Sequence, residues 1–527
     1  MAAVGGGTRR GGLRLPRTWA TCAPGTTPCT PAPAGLSVAR LTLVTQEVAV
    51  VRRAYAAPVA RPLVAVVGAG VAGLSAARAL QAAGRRVVVL EAASRVGGKV
   101  RVSEVGGLPV DEGADSMLRR VPEGVGLAAA VGLGEELVNP AAGQAFLWTR
   151  GALRPLPAGT VLGVPGDLAS LARSGALTTS GLYRVLGDLV PGAPVTADVA
   201  VGALVGRRLG REVVERLVDP LLGGVYAGRA DLLSLQATLP QLVAPLAASR
   251  TLLGAARAAR AAAPPVDGAV FAGLPGGLGR LTEAAATGLD VRLSTTVRGL
   301  RRTTTGWRLE TGPAVAPEHL DVDGVVLAVP AAPAARLLAD LLPAAAAELA
   351  GLEYASVAIV TLVLQGPPPG RGSGYLVPAV EGRTTKAVTF TSRKWGHYRG
   401  DLAVVRASVG RYGEEADLQR PDDELVAVVR AELEQAVGPV GRLVDSRVVR
   451  WGGGLPQYAV GHLDRVRRVR EAVATLPGLA VAGAAYDGVG VPACARSGGQ
   501  AAHALLRQDG AHDHSRLDHP RRDGSTA

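Results

Sequence analysis

The apolar positions change character abruptly near residue 61. Residues 1–60 carry Gly, Pro, Thr and Arg without a steady period, which predicts a disordered or misassigned N-terminal extension. Leu63–Val67 is a short β-branched apolar run, typical of a buried parallel strand. A helix-compatible stretch, Leu74–Ala83, and a second such strand, Arg86–Leu90, follow. Strand, turn, helix and strand within about 30 residues predict a βαβ unit.

The rest of the chain divides by pattern into a helical part and a strand-rich part. Residues 121–273 are rich in Leu, Ala and Arg with several prolines, which predicts mainly helices, and Pro264-Pro265 predicts a connection. Amphipathic spacing predicts a helix over Asp422–Val437, and another from about Gly498 to Leu506. Short apolar or alternating runs predict strands at Val291–Leu293, Trp307–Glu310, Gly324–Val329, 354–364, 402–409 and Leu479–Gly483.

Composition limits the classes of function. The 527 residues, 48% hydrophobic and 19% charged, predict a globular protein of two or three domains. The net charge is +13, but seven arginines and one acid lie in residues 1–60, and no basic run is interleaved with aromatics. We therefore predict no nucleic-acid binding. Three cysteines without a Cys-x-x-Cys pair predict neither a disulfide scaffold nor a zinc site, and His512, His514 and His519 lie in a polar tail.

Targeting and membrane signals are weak. No apolar window of about 18 residues is present, so no membrane-spanning helix is predicted. Arg9-Arg10 looks like a twin-arginine signal, but Arg14, Pro16 and Arg17 stand where an apolar segment is needed. An organelle transit peptide and a start codon assigned too far upstream remain open for residues 1–60.

The glycines after the first strand carry the chemistry of the βαβ unit. Gly68-Ala69-Gly70-Val71-Ala72-Gly73 is G-x-G-x-x-G and opens the helix. Gly68 permits the tight turn, Gly70 lets the backbone approach a pyrophosphate, and Gly73 lets the helix pack on the strand. The helix N-terminus then offers free N–H groups to the phosphates. Glu91 ends the second strand, 18 residues after Gly73, where its carboxylate can accept hydrogen bonds from ribose hydroxyls.

Two further segments separate FAD from NAD. Arg95-Val96-Gly97-Gly98-Lys99 resembles the R-x-G-G segment of the amine-oxidase-type flavoprotein superfamily, which lines the pyrophosphate and the flavin. Asp111-Glu112-Gly113-Ala114-Asp115-Ser116 resembles the strand and turn that approach the isoalloxazine in that superfamily. These resemblances predict an FAD cofactor.

The segment from Leu479 to Pro492, with the residues after it, closely resembles the C-terminal flavin motif of porphyrinogen oxidases. It looks most like the coproporphyrinogen III oxidase / protoporphyrinogen oxidase family of Gram-positive bacteria, and the resemblance runs from about Leu63 to Arg507. Leu455 and Gly396 depart mildly from the family, where Met and Pro are common. Other segments that agree are Gly224–Leu242, Leu274–Leu281, Lys386–Trp395 and Leu455–Val466.

The resemblance implies the fold and the division into domains. The fold class is α/β, with a Rossmann-type FAD-binding domain assembled from discontinuous segments, a mixed-sheet substrate domain and a mainly helical domain. We expect the FAD-binding domain in residues 61–120, 274–330 and 455–507. Residues 121–273 form the helical domain and residues 331–454 the substrate domain. A disordered tail is expected over residues 508–527.

The resemblance also implies an activity: oxygen-dependent oxidation of coproporphyrinogen III to coproporphyrin III in haem synthesis, with peroxide as product. Hydride passes to flavin N5 in three rounds, so positioning of the substrate outweighs acid–base chemistry, and no catalytic side chain is assigned. The residues implied to bind FAD are Gly68, Ala69, Gly70, Val71, Ala72, Gly73, Glu91, Ala92, Lys99, Gly113, Ala114, Asp115, Ser116, Val297, Trp451, Val489, Gly490 and Val491.

Among these, Glu91 and Ala92 are expected at the ribose, Val297 at the adenine, and Val489–Val491 at the pyrimidine edge of the flavin. Val297 is expected on a strand. Because a planar guanidinium pairs well with a carboxylate, Arg119 and Arg120 are expected to bind substrate propionates, with Arg229 and Arg393 as weaker candidates.

Three alternatives remain open at this point. The first is protoporphyrinogen IX as the substrate, the second another amine-oxidase-type flavoenzyme such as a monoamine or phytoene oxidoreductase, and the third a non-catalytic porphyrin carrier that keeps FAD. The expected partners are a porphyrinogen and molecular oxygen, with a downstream ferrochelatase as a further candidate. The expected location is the cytoplasm, with contact at the membrane surface left open.

Overall fold

The structure, a computed structural model, describes residues 61–263 and 268–517, with side chains to residue 508. Predictions for residues 1–60, for Pro264-Pro265 and for the tail histidines lie outside these descriptions. Within the described ranges no helix is both long and apolar enough to cross a membrane. In the same ranges, no group of three or more His, Cys, Asp or Glu side chains could hold a metal ion.

The first segment contains the predicted βαβ unit. Its elements are β1 (Leu63–Val67), α1 (Val71–Ala82), β2 (Arg86–Leu90), β3 (Val102–Val105), β4 (Leu108–Asp111), β5 (Met117–Leu118) and α2 (Pro122–Ala130). The strands β1 and β2 pair in parallel, with Val64 beside Val87 and Val67 beside Leu90. The predicted helix begins three residues earlier than expected, at Val71, because Gly70 is its extended N-cap.

The second segment begins with strands and continues with helices. The elements are β6 (Ala145–Thr149), β7 (Ala152–Pro155), β8 (Thr160–Val161), β9 (Val164–Pro165), α3 (Leu168–Ser174), α4 (Thr179–Leu186), α5 (Val201–Leu209), α6 (Arg211–Val213), a π-helical turn (Val214–Val218), α7 (Asp219–Tyr226), α8 (Leu235–Thr238), α9 (Pro240–Ala248) and α10 (Leu252–Ala261). The segment is mainly helical from residue 168 onward, but residues 145–165 form strands that the sequence did not predict. Aromatic residues of β6 such as Phe146 and Trp148 pack there into the core of a sheet.

The remaining elements add strands to the larger sheets and helices that pack on them. They are β10 (Phe271–Ala272), α11 (Gly279–Ala286), β11 (Asp290–Arg292), β12 (Gly299–Arg302), β13 (Trp307–Thr311), β14 (Glu318–Val322), β15 (Gly324–Leu327), α12 (Ala331–Leu338), α13 (Pro343–Ala350), β16 (Tyr354–Gln365), β17 (Gly374–Leu376), β18 (Thr385–Thr389), α14 (Thr391–Lys394), β19 (Leu402–Val409), α15 (Asp422–Val437), β20 (Leu443–Pro456), α16 (His462–Ala474), β21 (Leu479–Val481) and α17 (Val491–Leu517).

A five-stranded sheet in the order β11-β2-β1-β15-β21 assembles strands from both ends of the chain. All its neighbours are parallel. Helices α1, α11 and α17 cover one face, and the three-stranded sheet β12–β14 with α12, α13 and α16 covers the other. Both faces are buried, as the continuous apolar runs predict. The discontinuous Rossmann-type unit is confirmed.

A seven-stranded mixed sheet, in the order β20-β16-β19-β18-β17-β6-β7, forms the second layer. Only β17 and β6 pair in parallel among its adjacent strands. One face packs on α15 through Leu425, Val429 and Leu433. Residues of the opposite face, including Val363 and Val404, contact Val105 and Val110 of the first segment. The predicted mixed sheet is confirmed, and it takes β6 and β7 from the region expected to be helical.

Two predicted bounds near the chain end are wrong. The last helix begins at Val491, not at about Gly498, and it extends to Leu517, beyond Arg507. Gly498 lies inside the helix because α17 packs tightly on α1, where a Cβ on Gly498 would stand 2.0 Å from the Ala72 carbonyl oxygen. The Gly-rich turn therefore leads directly into the helix N-terminus.

Candidate functional site

The glycine loop between β1 and α1 has the geometry that its spacing predicts. Gly68 has φ +105°, where side chains are strained, and a Cβ on Gly73 would stand 1.9 Å from the Gly68 carbonyl oxygen. A Cβ on Gly70 would meet no protein atom within 4 Å. The loop is therefore packed tightly behind Gly73 and open in front of Gly70. The first N–H groups of α1, which no side chain caps, lie at this opening.

Glu91 braces this loop. Its carboxylate accepts hydrogen bonds from the Ala69 N–H at 2.7 Å and the Ala93 N–H at 2.8 Å. Ala92, which lies between Glu91 and Ala93 in the sequence, is exposed. The sequence predicts only a ribose contact for Glu91. This second task is not evident from the sequence, because the partners are backbone groups.

Val297 is not on a strand, contrary to expectation. It lies in the loop between β11 and β12, half-buried against the core that covers one face of the parallel sheet. The loop is nonetheless close to Glu91, because the Thr295 N–H donates to the Glu91 carbonyl oxygen at 2.8 Å. The structure thus brings the loop that carries Val297 close to Glu91, the residue expected to bind the ribose.

The second glycine pair closes over the first. The Gly97 N–H donates to the Ala69 carbonyl oxygen at 2.9 Å, and a Cβ on Gly98 would stand 3.4 Å from the Gly70 Cα. Gly97 and Gly98 both have positive φ, at +105° and +57°. The two Gly-rich segments therefore line one opening, although Gly97 lies 24 positions after Gly73 in the sequence.

Lys99 lies where these segments meet the next turn. Its carbonyl oxygen accepts from the Ala114 N–H at 3.3 Å, and a Cβ on Gly113 would stand 2.1 Å from that oxygen. Burial lowers the pKa of the Lys99 ammonium, while the nearby Cys494 opposes the shift. In the described residues no acid pairs with the Lys99 ammonium, which leaves it free to neutralise a phosphate.

The carboxylate of Asp115 is held by two cations. The Lys394 Nζ lies 3.0 and 3.1 Å from its two oxygens, the Arg406 guanidinium lies 3.3 Å away, and the Ser116 hydroxyl donates at 2.9 Å. Burial opposes ionisation of Asp115, but the two cations outweigh it and hold its pKa below the ordinary range. Arg406 also donates to the Gly113 carbonyl oxygen. The sequence analysis missed this cluster, although Lys394 is one of only three lysines in the chain.

Asp111 is a buried carboxylate with a structural task. It accepts from the Leu278 N–H at 2.7 Å and the Gly279 N–H at 3.3 Å, so it ties β4 to the first turn of α11. Burial raises the pKa of Asp111 to about 7, although Arg406 opposes the shift. The sequence places Asp111 in the segment that resembles the flavin-approaching strand and turn, but it does not indicate this structural task.

Trp451 contacts the same turn from the mixed sheet. Its indole Nε1–H donates to the Glu112 carbonyl oxygen at 3.0 Å, and its ring lies 3.6 Å from the position of a Cβ on Gly113. The Arg101 guanidinium stacks on the indole, 4.8 Å from its centroid. The structure thus places Trp451 beside the residues expected to line the flavin.

The turn Val489–Val491, where α17 begins, also contributes to the candidate site. Val489 is half-buried against the helical core, Gly490 is exposed, and Val491 is buried as the first residue of α17. The Cys494 N–H donates to the Gly490 carbonyl oxygen at 3.0 Å. Because α17 begins at Val491, its positive end faces this turn more directly than the sequence predicts.

The four candidate arginines differ in their partners. Arg119 donates to the Asn139 amide oxygen at 3.1 Å, and Arg120 is exposed without an ion pair among the described residues. Arg229 pairs with Glu414 at 3.0 Å. The Arg393 guanidinium donates to the carbonyl oxygens of Pro368 and Pro369. Arg119 and Arg120 therefore keep the most donors for an external carboxylate.

Comparison with known proteins identifies the family. Residues 71–506 match the flavin containing amine oxidoreductase family. The coproporphyrinogen III oxidase of Mycobacterium tuberculosis (strain ATCC 25618 / H37Rv) is 38% identical over 453 residues, which cover 84% of this chain and 96% of the relative. That of Bacillus subtilis (strain 168) is 32% identical over 461 residues, covering 82% and 96%.

A solved structure agrees over the same length. The crystal structure of a protein from Exiguobacterium sp. 255-15, assigned as a protoporphyrinogen oxidase, superposes with a TM-score of 0.75 at 34% identity, covering 86% of this chain and 99% of that chain. The chain therefore belongs to the flavin containing amine oxidoreductase family, and the predicted FAD cofactor is confirmed. The residues present fit that cofactor, since the cradle in front of Gly70 is one that no protein atom fills.

Proposed function

We propose that this member of the family is an FAD-dependent, oxygen-using oxidase that converts coproporphyrinogen III to coproporphyrin III with peroxide as product. Full-length similarity to coproporphyrinogen III oxidases carries the proposal, at 38% and 32% identity. The cradle formed by Gly68, Gly70 and Gly97 supports it, because an extended dinucleotide needs an open pyrophosphate site at a helix N-terminus.

The cofactor-binding roles are proposed from the geometry of this cradle. Gly68–Gly73 and Gly97–Lys99 hold the pyrophosphate, Glu91 and Ala92 the ribose, and Val297 the adenine. Gly113–Ser116, Trp451 and Val489–Val491 lie along the flavin. When bound, FAD supplies hydride acceptance and electron transfer to oxygen. The protein chain itself binds the cofactor, orients the substrate and shields the site.

On the substrate side, the chain provides charge and shape. Arg119 and Arg120 follow directly after the Gly113–Ser116 turn, so a propionate bound there would keep the tetrapyrrole close to the flavin. No catalytic acid or base is assigned. Oxidation of a porphyrinogen is driven by aromatisation, and holding the ring in place is the main requirement.

Two measurements test the proposal. Under anaerobic conditions, coproporphyrinogen III should bleach the absorbance of the bound flavin, and air should restore it. A carrier that keeps FAD only as a structural element would bind the tetrapyrrole without bleaching. In air, kcat/KM for coproporphyrinogen III should exceed that for protoporphyrinogen IX, because only the former carries four propionates. Equal or reversed kcat/KM would replace the proposed substrate by protoporphyrinogen IX.

We also propose contact with an anionic membrane surface through an exposed apolar patch. The helical-domain patch consists of Tyr183, Leu186, Leu189 and Val190, whose exposed fractions are 70%, 43%, 59% and 70%. Arg207 lies exposed on neighbouring α5 and adds positive charge. Co-sedimentation with phosphatidylglycerol vesicles should fall when Leu189 and Val190 are both changed to Ser. Unchanged co-sedimentation would exclude this patch.

We also propose a cytoplasmic location for this protein and a downstream ferrochelatase as its partner. Coproporphyrin is a photoreactive product that requires metal insertion on the way to haem, so transfer to a metal-inserting enzyme is expected. Fractionation of the native cell and a pull-down with a ferrochelatase, with and without coproporphyrin, would test location and hand-over. Absence of the chain from the cytoplasmic fraction would refute the first part.

A further inference from the structure

The cluster of Asp115, Lys394 and Arg406 links the two sheets at the flavin-lining turn. Asp115 belongs to the first segment, Lys394 to α14, and Arg406 to β19 of the mixed sheet. Lys394 contacts both Asp115 oxygens and also donates to the Ser116 hydroxyl at 3.1 Å. Arg406 contacts Asp115 and the Gly113 carbonyl oxygen. Lys394 and Arg406 thus hold three of the four residues of the Gly113–Ser116 turn, namely Gly113, Asp115 and Ser116.

The charges of this cluster do not cancel. Two cations face one carboxylate, and their side chains are only 14% (Lys394) and 7% (Arg406) exposed. The Arg406 Nε is buried without a hydrogen-bond partner among the described residues. A charge that is buried and incompletely paired is costly, so a further negative group at this place would stabilise the protein.

Neighbouring titratable groups leave the excess positive charge in place. Asp111 faces Arg406, but burial raises the pKa of Asp111 to about 7, so it is only partly ionised near neutral pH. Tyr398 donates to the Pro109 carbonyl oxygen at 2.7 Å, and burial raises the pKa of its hydroxyl, which stays neutral. Glu112 is paired with Arg101 and Arg95.

We propose that Lys394 and Arg406, held on Asp115, are positioning residues that keep excess positive charge beside the flavin and thereby raise the reduction potential of the bound FAD. This inference rests on the proposed placement of the flavin along Gly113–Ser116. Reduction of a flavin adds negative charge, and a fixed cation in a water-poor site stabilises that charge more than it stabilises the neutral oxidised form.

The test is the midpoint potential of the FAD-loaded protein, measured by equilibration with reference dyes. Lys394→Met removes a positive charge and should lower the potential. Asp115→Asn removes the negative charge with little change of shape and should raise it. Lys394→Arg keeps the charge and serves as the matched control, with a potential close to that of the unchanged protein. Arg301→Met, on the exposed surface of β12, controls for removal of a distant cation.

The sign pattern separates electrostatics from simple loss of structure. If the cluster only supported the turn, Lys394→Met and Asp115→Asn would shift the potential in the same direction or leave it unchanged, and the inference would be overturned. Where Lys394→Met does not retain FAD, Lys394→Gln takes its place with the same expected sign. Porphyrinogen oxidation is assayed separately. If the protein oxidises coproporphyrinogen but the two variants do not shift the potential in opposite directions, only this inference is refuted. If the opposite shifts are observed but the protein does not oxidise coproporphyrinogen, only the proposed substrate is refuted.

Discussion

Lys386 is a buried lysine whose replacement should stabilise the protein in a pH-dependent way. It lies on β18 with 7% of its surface exposed, at a register shift between Thr385 and Ala387. Its ammonium has neither a hydrogen bond nor an ion pair among the described residues. Burial, with a smaller contribution from Arg411, lowers the pKa of Lys386 from 10.5 to about 7. The folded protein therefore releases this proton far more readily than the unfolded chain does.

The sign of the effect follows from the two pKa values. Below pH 7 the ammonium is charged in both states, and the full cost of burying it is present. Between pH 7 and about 10.5 the unfolded chain holds more protons than the folded protein, so stability rises with pH. At about 1.4 kcal/mol per unit of pKa shift, the cost below pH 7 is at most about 5 kcal/mol, and relaxation around the charge reduces it.

Lys386→Met should therefore unfold at higher urea concentration than the unchanged protein. The free energy of unfolding of both proteins, loaded with FAD, is measured by urea titration from pH 6.5 to pH 9.5. Their difference should be largest at the acid end and shrink toward the alkaline end, by up to about 1.4 kcal/mol per pH unit. The surface variant Arg301→Met should show no such slope. A difference that stays constant with pH, or a Met variant that is less stable at pH 7, would refute the reasoning.

Three further outcomes are expected around the cofactor site. Gly73→Ala should destabilise the protein by about 1–3 kcal/mol in urea titrations, because its Cβ would stand 1.9 Å from a carbonyl oxygen, whereas Gly70→Ala should leave the apoprotein equally stable and weaken FAD binding. Arg119→Met should raise KM for coproporphyrinogen about tenfold with little change in kcat, and Arg393→Met should leave KM unaltered because its guanidinium already serves two prolines. Trp451→Phe should raise the Kd for FAD about tenfold, as one hydrogen bond to the turn is lost. Equal stability of Gly73→Ala and Gly70→Ala, equal KM of Arg119→Met and Arg393→Met, or an unchanged Kd for FAD in Trp451→Phe would contradict the assigned contacts.

Local patterns account for the elements that were predicted well. The β1-α1-β2 unit depends on residues within about 30 positions. The steric roles of its glycines follow from their spacing alone. The strands of the mixed sheet at 354–364 and 402–409 agree with the structure within one residue, because long β-branched runs specify a buried strand. Helix α15 begins and ends where its amphipathic spacing predicts.

Patterns were misleading where tertiary packing overrides local preference. The sequence predicts that α17 begins at about Gly498, but Gly498 lies inside the helix, in close contact with α1. The strands at 145–165 lie in a helix-rich region and exist because β6 pairs with β17, more than 200 residues away in the sequence. Val297 was expected on a strand but lies in a loop next to Glu91.

The sequence by itself predicted a dinucleotide-binding loop at Gly68, Gly70, Gly73 and Glu91, because the geometry of such a loop depends on neighbours along the chain. Only the tertiary structure decided what surrounds the Gly113–Ser116 turn, which we propose lines the flavin. Lys394 meets Asp115 across 279 positions, and Trp451 meets Glu112 across 339. No local period encodes such pairs, since each depends on how two sheets pack. Electrostatics at the site is therefore a property of the fold, while the dinucleotide loop is a property of its sequence.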